Sequence, residues 1–262
     1  MAPTRPLRVG FQARPQHTDY ATMRDAWRRV EDAGADALFD WDHFYPLSGE
    51  PEGRHFECWT LLAAMAEVTE RVEIGALVVC NSYRNPNLLA DMARTVDHVS
   101  GGRVILGLGS GWFERDYTEY GYEFGTKITR LHAFRDALPV IEQRLGALNP
   151  PPVRKVPVMI GGGGEKVMLR LVAQHADIWH GFGDPDTIRH KCAVLDEWCR
   201  KEGRDPAAIE RSCNIADLDA ASRLDEFVDA GATFFTAGAD GRYDLSVLER
   251  LIAYRDAVNG TS

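Results

Sequence analysis

Ala35-Asp-Ala-Leu-Phe-Asp-Trp-Asp-His-Phe-Tyr-Pro46 is the stretch of this chain that says most about its architecture. Residues 37–41 form a short apolar and aromatic run between the helix-ending Gly34 and a proline, a pattern that predicts a buried strand. Asp42 and His43 follow directly, so an acid stands at the end of that strand beside a histidine, the residue type most often used for proton transfer near neutral pH. Such a strand can hold an imidazole rigidly over a ligand, although a loop cap and an ordinary histidine fit the same stretch taken alone.

The same order of helix stop, apolar strand and amphipathic helix recurs along the chain. Strands are predicted over residues 7–13, 37–41, 73–79, 104–110, 156–160, 177–182, 211–216 and 233–237. The helices are expected over 19–34, 57–69, 85–101, 131–148, from Glu165, from Asp184, over 224–228 and over 245–258, with residues 111–130 mostly a loop. Eight such units predict an α/β fold, a (β/α)8 TIM barrel with its active site at the carboxyl ends of the strands. A doubly wound open sheet is the alternative, which the count of eight disfavours.

Composition narrows the class of protein. The 262 residues are 45% hydrophobic and 26% charged, without a composition break, so we expect a single domain over residues 1–262. The net charge of -9 argues against nucleic-acid binding. No signal-peptide pattern and no run near the roughly 18 apolar residues of a membrane helix is present, so no membrane association is expected. Five cysteines without C-x-x-C spacing predict reduced thiols and a cytoplasmic protein.

Residues just after the strands should converge in a barrel. They are Arg14 and His17; Asp42 and His43; Cys80, Asn81 and Ser82; Ser110, Gly111 and Trp112; residues 161–164; His180; Asp217; and Gly238. Strand one lacks the His-x-His pair of a metal-dependent hydrolase, and only Asp42 and Asp217 provide strand-end acids. We therefore expect no metal site.

The glycine run 161–164 lies between a strand and a helix. Without side chains, its backbone can approach a ligand closely and direct amide N–H groups at it, and the following helix N-terminus favours phosphate. A flexible strand-to-helix turn fits the segment equally well. It is not a Walker motif, because Lys166 has the wrong spacing. The other strand ends, such as 77–79 and Trp112, offer small, apolar and aromatic groups that suit a flat ring system.

Four stretches carry a family resemblance. They are Glu31-Asp-Ala-Gly-Ala-Asp-Ala-Leu-Phe-Asp-Trp-Asp-His-Phe44, Cys80-Asn-Ser-Tyr-Arg-Asn-Pro86, Ser100-Gly-Gly-Arg-Val-Ile-Leu-Gly-Leu-Gly-Ser-Gly-Trp-Phe-Glu114 and the glycine run through Trp179. In combination they resemble the luciferase-like flavin and deazaflavin oxidoreductases, above all the members that use coenzyme F420. The resemblance implies a bacterial-luciferase-like (β/α)8 barrel, a homodimer, and a cofactor ring at the strand ends with its phosphate at the glycine loop.

The resemblance and the strand-end pattern together define a set of expected site residues. His43 matches the family histidine that acts as acid or base or polarises the substrate, and Trp112 is the second residue expected to be catalytic. Leu77-Val78 falls where the family often has a non-prolyl cis peptide. The residues expected to bind the cofactor are Asp42, Leu77, Val78, Cys80, Asn81, Ser110, Gly111, Gly161, Gly162, Gly163, Gly164 and Lys166. Lys166 and Arg170, four apart on the predicted helix, should meet an anionic cofactor tail.

Two departures from the family pattern stand out. Trp112 occupies the place of a glutamate in the glucose-6-phosphate dehydrogenases of the family, which argues against that activity. The excursion that the family usually carries between helix 4 and strand 5 is shortened to residues 148–156.

The favoured function is an F420-dependent oxidoreductase that transfers hydride between the deazaflavin and a small organic substrate. An FMN-dependent luciferase-like monooxygenase working with a separate flavin reductase is the alternative. A barrel that only binds a flavin-like ligand, without catalysis, is a third reading.

Overall fold

The computed structural model describes residue 3 and residues 5–260. The described part leaves out residues 1, 2, 4, 261 and 262. The expected lack of a signal peptide therefore concerns a segment that lies largely outside the described residues. The strands are β1 (Arg8–Ala13), β2 (Ala37–Asp40), β3 (Glu73–Ala76), β4 (Val79–Cys80), β5 (Val104–Gly109), β6 (Val158–Gly161), β7 (Ile178–Gly181), β8 (Glu210–Asn214) and β9 (Phe234–Ala239).

Helices alternate with these strands. They are α1 (Tyr20–Asp32), α2 (Cys58–Val68), α3 (Pro86–Val99), α4 (Glu114–Tyr120), α5 (Lys127–Ala147), α6 (Met168–His175), α7 (Pro185–Lys201), α8 (Leu218–Ala221), α9 (Leu224–Asp229) and α10 (Ser246–Asn259). Their ends follow sequence signals: Asp19 caps α1 by accepting from the Thr22 amide, and Asn85 caps α3 ahead of a proline. No helix within the described residues is long and apolar enough to cross a membrane.

The strands close into a barrel. All strand pairs are parallel, in the order β3-β2-β1-β9-β8-β7-β6-β5-β4, and β3 pairs with β5 as well, with Ile74 opposite Val104. The two short segments β3 and β4 together take the place of one barrel strand, so the barrel has eight strand positions and the predicted (β/α)8 TIM barrel is confirmed. Its interior is filled by the buried side chains of Ala37, Phe39, Ile105, Met159, Ile178 and Phe234.

The third strand is broken, contrary to the prediction of one strand over residues 73–79. The break falls at Leu77-Val78, whose peptide bond is cis, as the family resemblance implied. The Val78 side chain turns toward neighbouring backbone: an added Cβ at Gly109 would lie 2.7 Å from it and one at Gly161 would lie 3.1 Å from it. The break therefore depends on glycines in β5 and β6 that leave room for valine.

Three helix predictions were wrong in detail. The predicted loop after β5 contains α4, and α5 begins at Lys127, where Thr126 caps it, ahead of the predicted residue 131. The helix after the glycine run begins at Met168, because residues 165–167 form a turn first. The predicted helix at 224–228 is confirmed as α9, and the short α8 precedes it. The shortened excursion is confirmed, since α5 ends at Ala147 and β6 begins at Val158.

We expect the close contact between β3 and β5 to make Gly107→Ala strongly destabilising. A Cβ at Gly107 would lie 2.0 Å from the Ala76 carbonyl oxygen, so backbone must move, at a cost of about 3 kcal/mol or more. Gly146→Ala, in α5 with nothing within 4 Å, is the matched control and should stabilise by up to about 1 kcal/mol. Urea unfolding of both variants measures this, and equal effects would contradict the packing argument.

Candidate active site

A cavity of about 690 Å³ opens at the carboxyl ends of the barrel strands. Almost all of the predicted site residues line it: Asp42, His43, Leu77, Val78, Cys80, Ser110, Gly111, Trp112, Gly161, Gly162, Gly163, Gly164 and Lys166. The barrel therefore brings together residues that are more than 100 positions apart, because parallel strands end at a common rim.

Asn81 is the exception among the predicted site residues. It begins a 3-10 turn (Asn81–Tyr83) directly after β4, and it is buried away from the cavity with its Oδ1 unpaired within the described residues. The turn rotates the chain so that Tyr83 reaches the cavity wall in its place. Sequence position alone assigned Asn81 to the site, and the tight turn overrides that assignment.

His43 is held by a carboxylate that the sequence analysis did not identify. Its Nδ1 lies 2.7 Å from Oδ2 of Asp116 in α4, a fully buried side chain. The His43 side chain is 13% exposed and lines the cavity, and Nε2 has no hydrogen-bond partner in the part of the chain that the structure describes. Because Nδ1 is turned to the carboxylate, Nε2 is the nitrogen available to a ligand.

Asp116 is satisfied by four donors. Besides His43, it accepts from the Tyr83 hydroxyl at 3.1 Å and from the backbone amides of Phe44 and Tyr45 at 3.1 and 3.2 Å. These contacts tie the segment after β2 to the segment after β4. The imidazole is therefore fixed both through its ring and through the two residues that follow it.

Aromatic side chains surround the His43 ring. Trp41, Trp112 and Phe113 lie edge-on to it, with ring centroids at 5.4, 5.9 and 5.6 Å. Trp112 is 63% exposed and Phe182, across the cavity, is 64% exposed. Large apolar side chains left open at a cavity mouth are typical of a site that receives an apolar ring.

Asp42 does not pair with its neighbour His43. It is buried and accepts two hydrogen bonds from Arg84, at 2.6 and 2.9 Å, and one from the Cys80 amide at 2.9 Å. Burial by itself would lower the pKa of Arg84. The nearby carboxylates of Asp42 and Glu57 have the larger effect, so the pKa of Arg84 is raised. Asp42 thus fixes the strand ends of the cavity floor, and its carboxylate oxygens are already committed.

Glycine is required at one turn of the cavity wall. Gly111 has a φ of +76°, and a Cβ there would lie 1.9 Å from the Tyr117 hydroxyl and 2.6 Å from the Cys80 Sγ. Tyr117 and Cys80 contact each other at 3.2 Å, and burial raises the pKa of the Cys80 thiol to about 11. This thiol is therefore a packing group of the floor and not a thiolate nucleophile.

The glycine loop forms the opposite wall. Residues 161–164 line the cavity with backbone alone, and Gly162 has a φ of +132°. Lys127 and Lys166 also line the cavity, and neither forms an ion pair within the described residues. Arg170, predicted to share a helix face with Lys166, lies elsewhere: Lys166 is in the turn before α6, and Arg170 pairs with Glu202 at 2.8 Å.

Two histidines near the cavity are held neutral. Burial lowers the pKa of His180 to about 3; its Nδ1 contacts the Ser212 hydroxyl at 2.9 Å and its Nε2 is unpaired within the described residues. Burial and the neighbouring His43 lower the pKa of His55 to about 4, and its Nε2 accepts from Trp41 Nε1 at 2.9 Å. His55 therefore orients the tryptophan that supports His43.

The residues missed by sequence reasoning share one property: their role depends on a distant partner. Asp116 stands in a segment predicted as a loop, Arg84 reads as an ordinary helix-flanking cation, and Lys127 stands before the predicted helix. The available signal for Asp116 was its place in the first turn of a helix, where acids are favoured, but that helix was not predicted.

We expect His180 to make stability depend on pH. The unfolded histidine titrates near pH 6.5 and the folded one at about 3, so its stabilising contribution is present above about pH 6.5 and lost as the pH falls. This residue should lower the free energy of unfolding by about 2 kcal/mol between about pH 7 and pH 5. The free energy of unfolding, measured with urea at several pH values, should fall less steeply with decreasing pH in His180→Gln than in the parent. In His132→Gln, exposed on α5, it should fall as steeply as in the parent. The same pH dependence of the free energy of unfolding in all three proteins would refute the neutral state assigned to His180.

Comparison with known proteins agrees with this geometry. A family model described as luciferase-like monooxygenase matches residues 6–217. An F420-dependent glucose-6-phosphate dehydrogenase of Amycolatopsis mediterranei is 31% identical over 180 residues, which cover 62% of this chain and only 53% of that protein. The chain thus spans about half the length of this curated relative.

Solved structures resemble the fold over nearly its whole length. An F420-dependent secondary alcohol dehydrogenase in complex with an F420-acetone adduct has a TM-score of 0.83 at 17% identity, covering 97% of this chain and 99% of that one. The oxygenating constituent of 3,6-diketocamphane monooxygenase from Pseudomonas putida, in complex with FMN, has a TM-score of 0.75 at 13% identity, covering 98% of each chain. With the family model matched over most of its residues, the chain belongs to the luciferase-like monooxygenase family.

Proposed function

We propose that this protein is an F420-dependent oxidoreductase that transfers hydride between the deazaflavin and a small organic substrate. One observation carries the proposal: a single cavity holds a side-chain-free glycine loop at one wall and His43, with Nε2 free, at the floor. The relative from Amycolatopsis mediterranei, named for its use of F420, supports the choice of cofactor.

The glycine loop fits the phosphate of such a cofactor. A Cβ at Gly163 would meet only Lys191, at 3.6 Å, so the space beside this residue is free on the protein side. The loop precedes α6, whose N-terminus adds partial positive charge. Phosphate would bind to amides of the loop other than that of Gly162, which donates to the His180 carbonyl at 3.1 Å. The ring would rest on Leu77, Val78 and Gly109.

Unpaired lysines favour a deazaflavin over FMN. The deazaflavin tail carries more negative charge than the single phosphate of FMN, and Lys127 and Lys166 line the cavity without carboxylate partners in the described residues. FMN with a separate reductase remains the second candidate, because the structurally similar camphane monooxygenase component is in complex with FMN.

Gly163→Val should weaken cofactor binding at least tenfold and leave the fold intact. The valine has room within the protein but occupies the space of the phosphate, and each amide bonded to a charged group contributes roughly 1.5–3 kcal/mol. Fluorescence titration of the parent and the variant with F420 and with FMN measures the effect. Gly146→Ala is the control for a harmless glycine replacement.

The same titrations distinguish F420 from FMN as the cofactor. F420 should bind more tightly than FMN, and its affinity should fall with added salt and in Lys166→Ala. Equal, salt-insensitive affinities would favour the FMN alternative, and unchanged affinity in Gly163→Val would exclude the glycine loop as the phosphate site.

His43 is the group placed to move a proton. In the neutral ring, Nδ1–H donates to Asp116, so Nε2 presents a lone pair to the cavity and can take the hydroxyl proton of an alcohol. The buried carboxylate then stabilises the imidazolium, and in the reverse direction Nε2 returns the proton to a carbonyl oxygen. When bound, the deazaflavin supplies the two-electron hydride chemistry. Trp112 borders the same ring and limits the space for substrate.

We expect His43→Asn to lower turnover by at least about a hundredfold, since general acid–base catalysis typically contributes 10²–10⁴-fold. Cofactor affinity should stay within a few-fold of the parent, because the ring contacts and glycine loop are unchanged. Asp116→Asn should lower turnover in the same direction, and His132→Asn, exposed on α5, is the matched control. Steady-state kinetics on an alcohol or carbonyl panel tests this. Near-parental turnover of His43→Asn would make the residue structural.

Further properties belong to the same proposal. We infer a single domain over residues 1–262, a homodimer as in the family that the chain resembles, and a cytoplasmic location. The last is supported by five cysteines that are all free and buried. A small molecule is the proposed substrate, and glucose 6-phosphate is disfavoured because Trp112 stands in the place of the family's glutamate.

A further inference from the structure

Arg14 places a positive charge in the cavity that the proposed chemistry does not use. It follows β1 directly, is half-buried and lines the cavity. Its chain position is fixed at both peptide groups: its amide donates to the Ala239 carbonyl at 2.9 Å, and its carbonyl accepts from the Tyr243 hydroxyl at 2.9 Å. These two hydrogen bonds fix the backbone of Arg14, so the fold determines the point at the cavity rim from which its side chain extends.

The guanidinium itself is only partly satisfied. Its Nε donates to Oε1 of Gln12 at 3.3 Å, and Gln12 is in turn held by its Nε2, which donates to the Leu77 carbonyl at 2.6 Å. The terminal nitrogens have no hydrogen-bond partner, and no carboxylate of the described residues forms an ion pair with Arg14. Asp240 is close enough to act on it electrostatically, but that carboxylate accepts a hydrogen bond from Gln16.

One glycine makes room for the guanidinium beside β9. A Cβ at Gly238 would lie only 3.2 Å from Nη2 of Arg14, so the missing side chain lets the guanidinium pack against this strand. A partly desolvated guanidinium with free donors is a ready partner for a planar or tetrahedral anion. Asp240 acts on Arg14 from a distance, but no carboxylate of the described residues forms an ion pair with it, so a ligand can supply that anion.

The strand order separates Arg14 from the glycine loop. Along the sheet, β6 is the fourth neighbour of β1 in either direction, so the two strand ends face each other across the barrel mouth. A phosphate at residues 161–164 therefore leaves Arg14 free. Arg14 instead shares a neighbour with His43: the Trp41 ring centroid lies 5.7 Å from the Arg14 guanidinium carbon and 5.4 Å from the His43 ring centroid.

We propose that Arg14 binds an anionic group of the substrate, a carboxylate or a phosphate, and so holds the reacting carbon near His43. This inference rests on the proposed function, because it assigns the glycine loop to the cofactor and the Arg14 side of the cavity to the substrate. The substrate class is then a small organic acid or phosphate ester with an alcohol or carbonyl group within reach of Nε2.

Benzoate and benzamide are suitable probes, since they share a flat ring that suits the aromatic cavity and differ in charge. Binding of each to the cofactor-free protein is measured by calorimetry for the parent, Arg14→Gln and the control Arg28→Gln, which removes an exposed arginine of α1 outside the cavity. The parent should prefer benzoate by about tenfold to a hundredfold, as expected for charge-assisted hydrogen bonds. Arg14→Gln should lose that preference, whereas Arg28→Gln should keep it.

The proposal is overturned if the parent binds neither probe, if Arg14→Gln retains the preference for benzoate, or if Arg28→Gln abolishes it. F420 titration of Arg14→Gln completes the test: parental cofactor affinity supports a substrate role, and a large loss would assign Arg14 to the cofactor. A parent that prefers benzoate through Arg14 but binds neither F420 nor FMN would refute the proposed function while leaving the anion site intact.

Discussion

The buried carboxylate of Asp116 is the constraint on which the arrangement of this site depends. A carboxylate without solvent needs hydrogen-bond donors, since leaving it unpaired costs several kcal/mol. Its donors come from the segments after β2 and β4, while Asp116 itself follows β5. The hydrogen bonds of this one carboxylate therefore connect the segments after three strands, and one of these bonds fixes the orientation of the His43 ring.

A second buried carboxylate, Asp42, is satisfied in a different way. Successive side chains of an extended segment point to opposite sides, so Asp42 and His43 find separate partners. Asp42 is neutralised by the guanidinium of Arg84 and bonded to the Cys80 amide, which stiffens the floor next to the cis peptide. The two neighbouring residues therefore have different roles: Asp42 stabilises the strand ends, and His43 faces the cavity.

The cavity lining combines cationic and aromatic side chains. Lys127, Lys166 and Arg14 line it, and the end of β1, which Arg14 follows, faces the end of β6 across the barrel. Trp41, Trp112 and Phe182 line the same cavity. An acidic protein can bind anions in this way because interactions act locally and bulk solvent screens the distant negative charges. A lining of this composition suits ligands that combine an anionic group with an apolar ring.

The amino-acid sequence by itself determined the barrel, because eight apolar strands with intervening amphipathic helices have few ways to bury both faces. It also determined which residues stand at the strand ends, since that follows from chain order; this is why His43, Trp112 and the glycine run 161–164 were expected at the cavity that they line. Only the tertiary structure decided the partners of those residues. Asp116, Arg84 and the free guanidinium of Arg14 acquire their roles across gaps of 73, 42 and more than 200 positions. Asn81 was misplaced for the same reason: a single tight turn after β4 decides which side chain faces the cavity, and no local pattern encodes that direction.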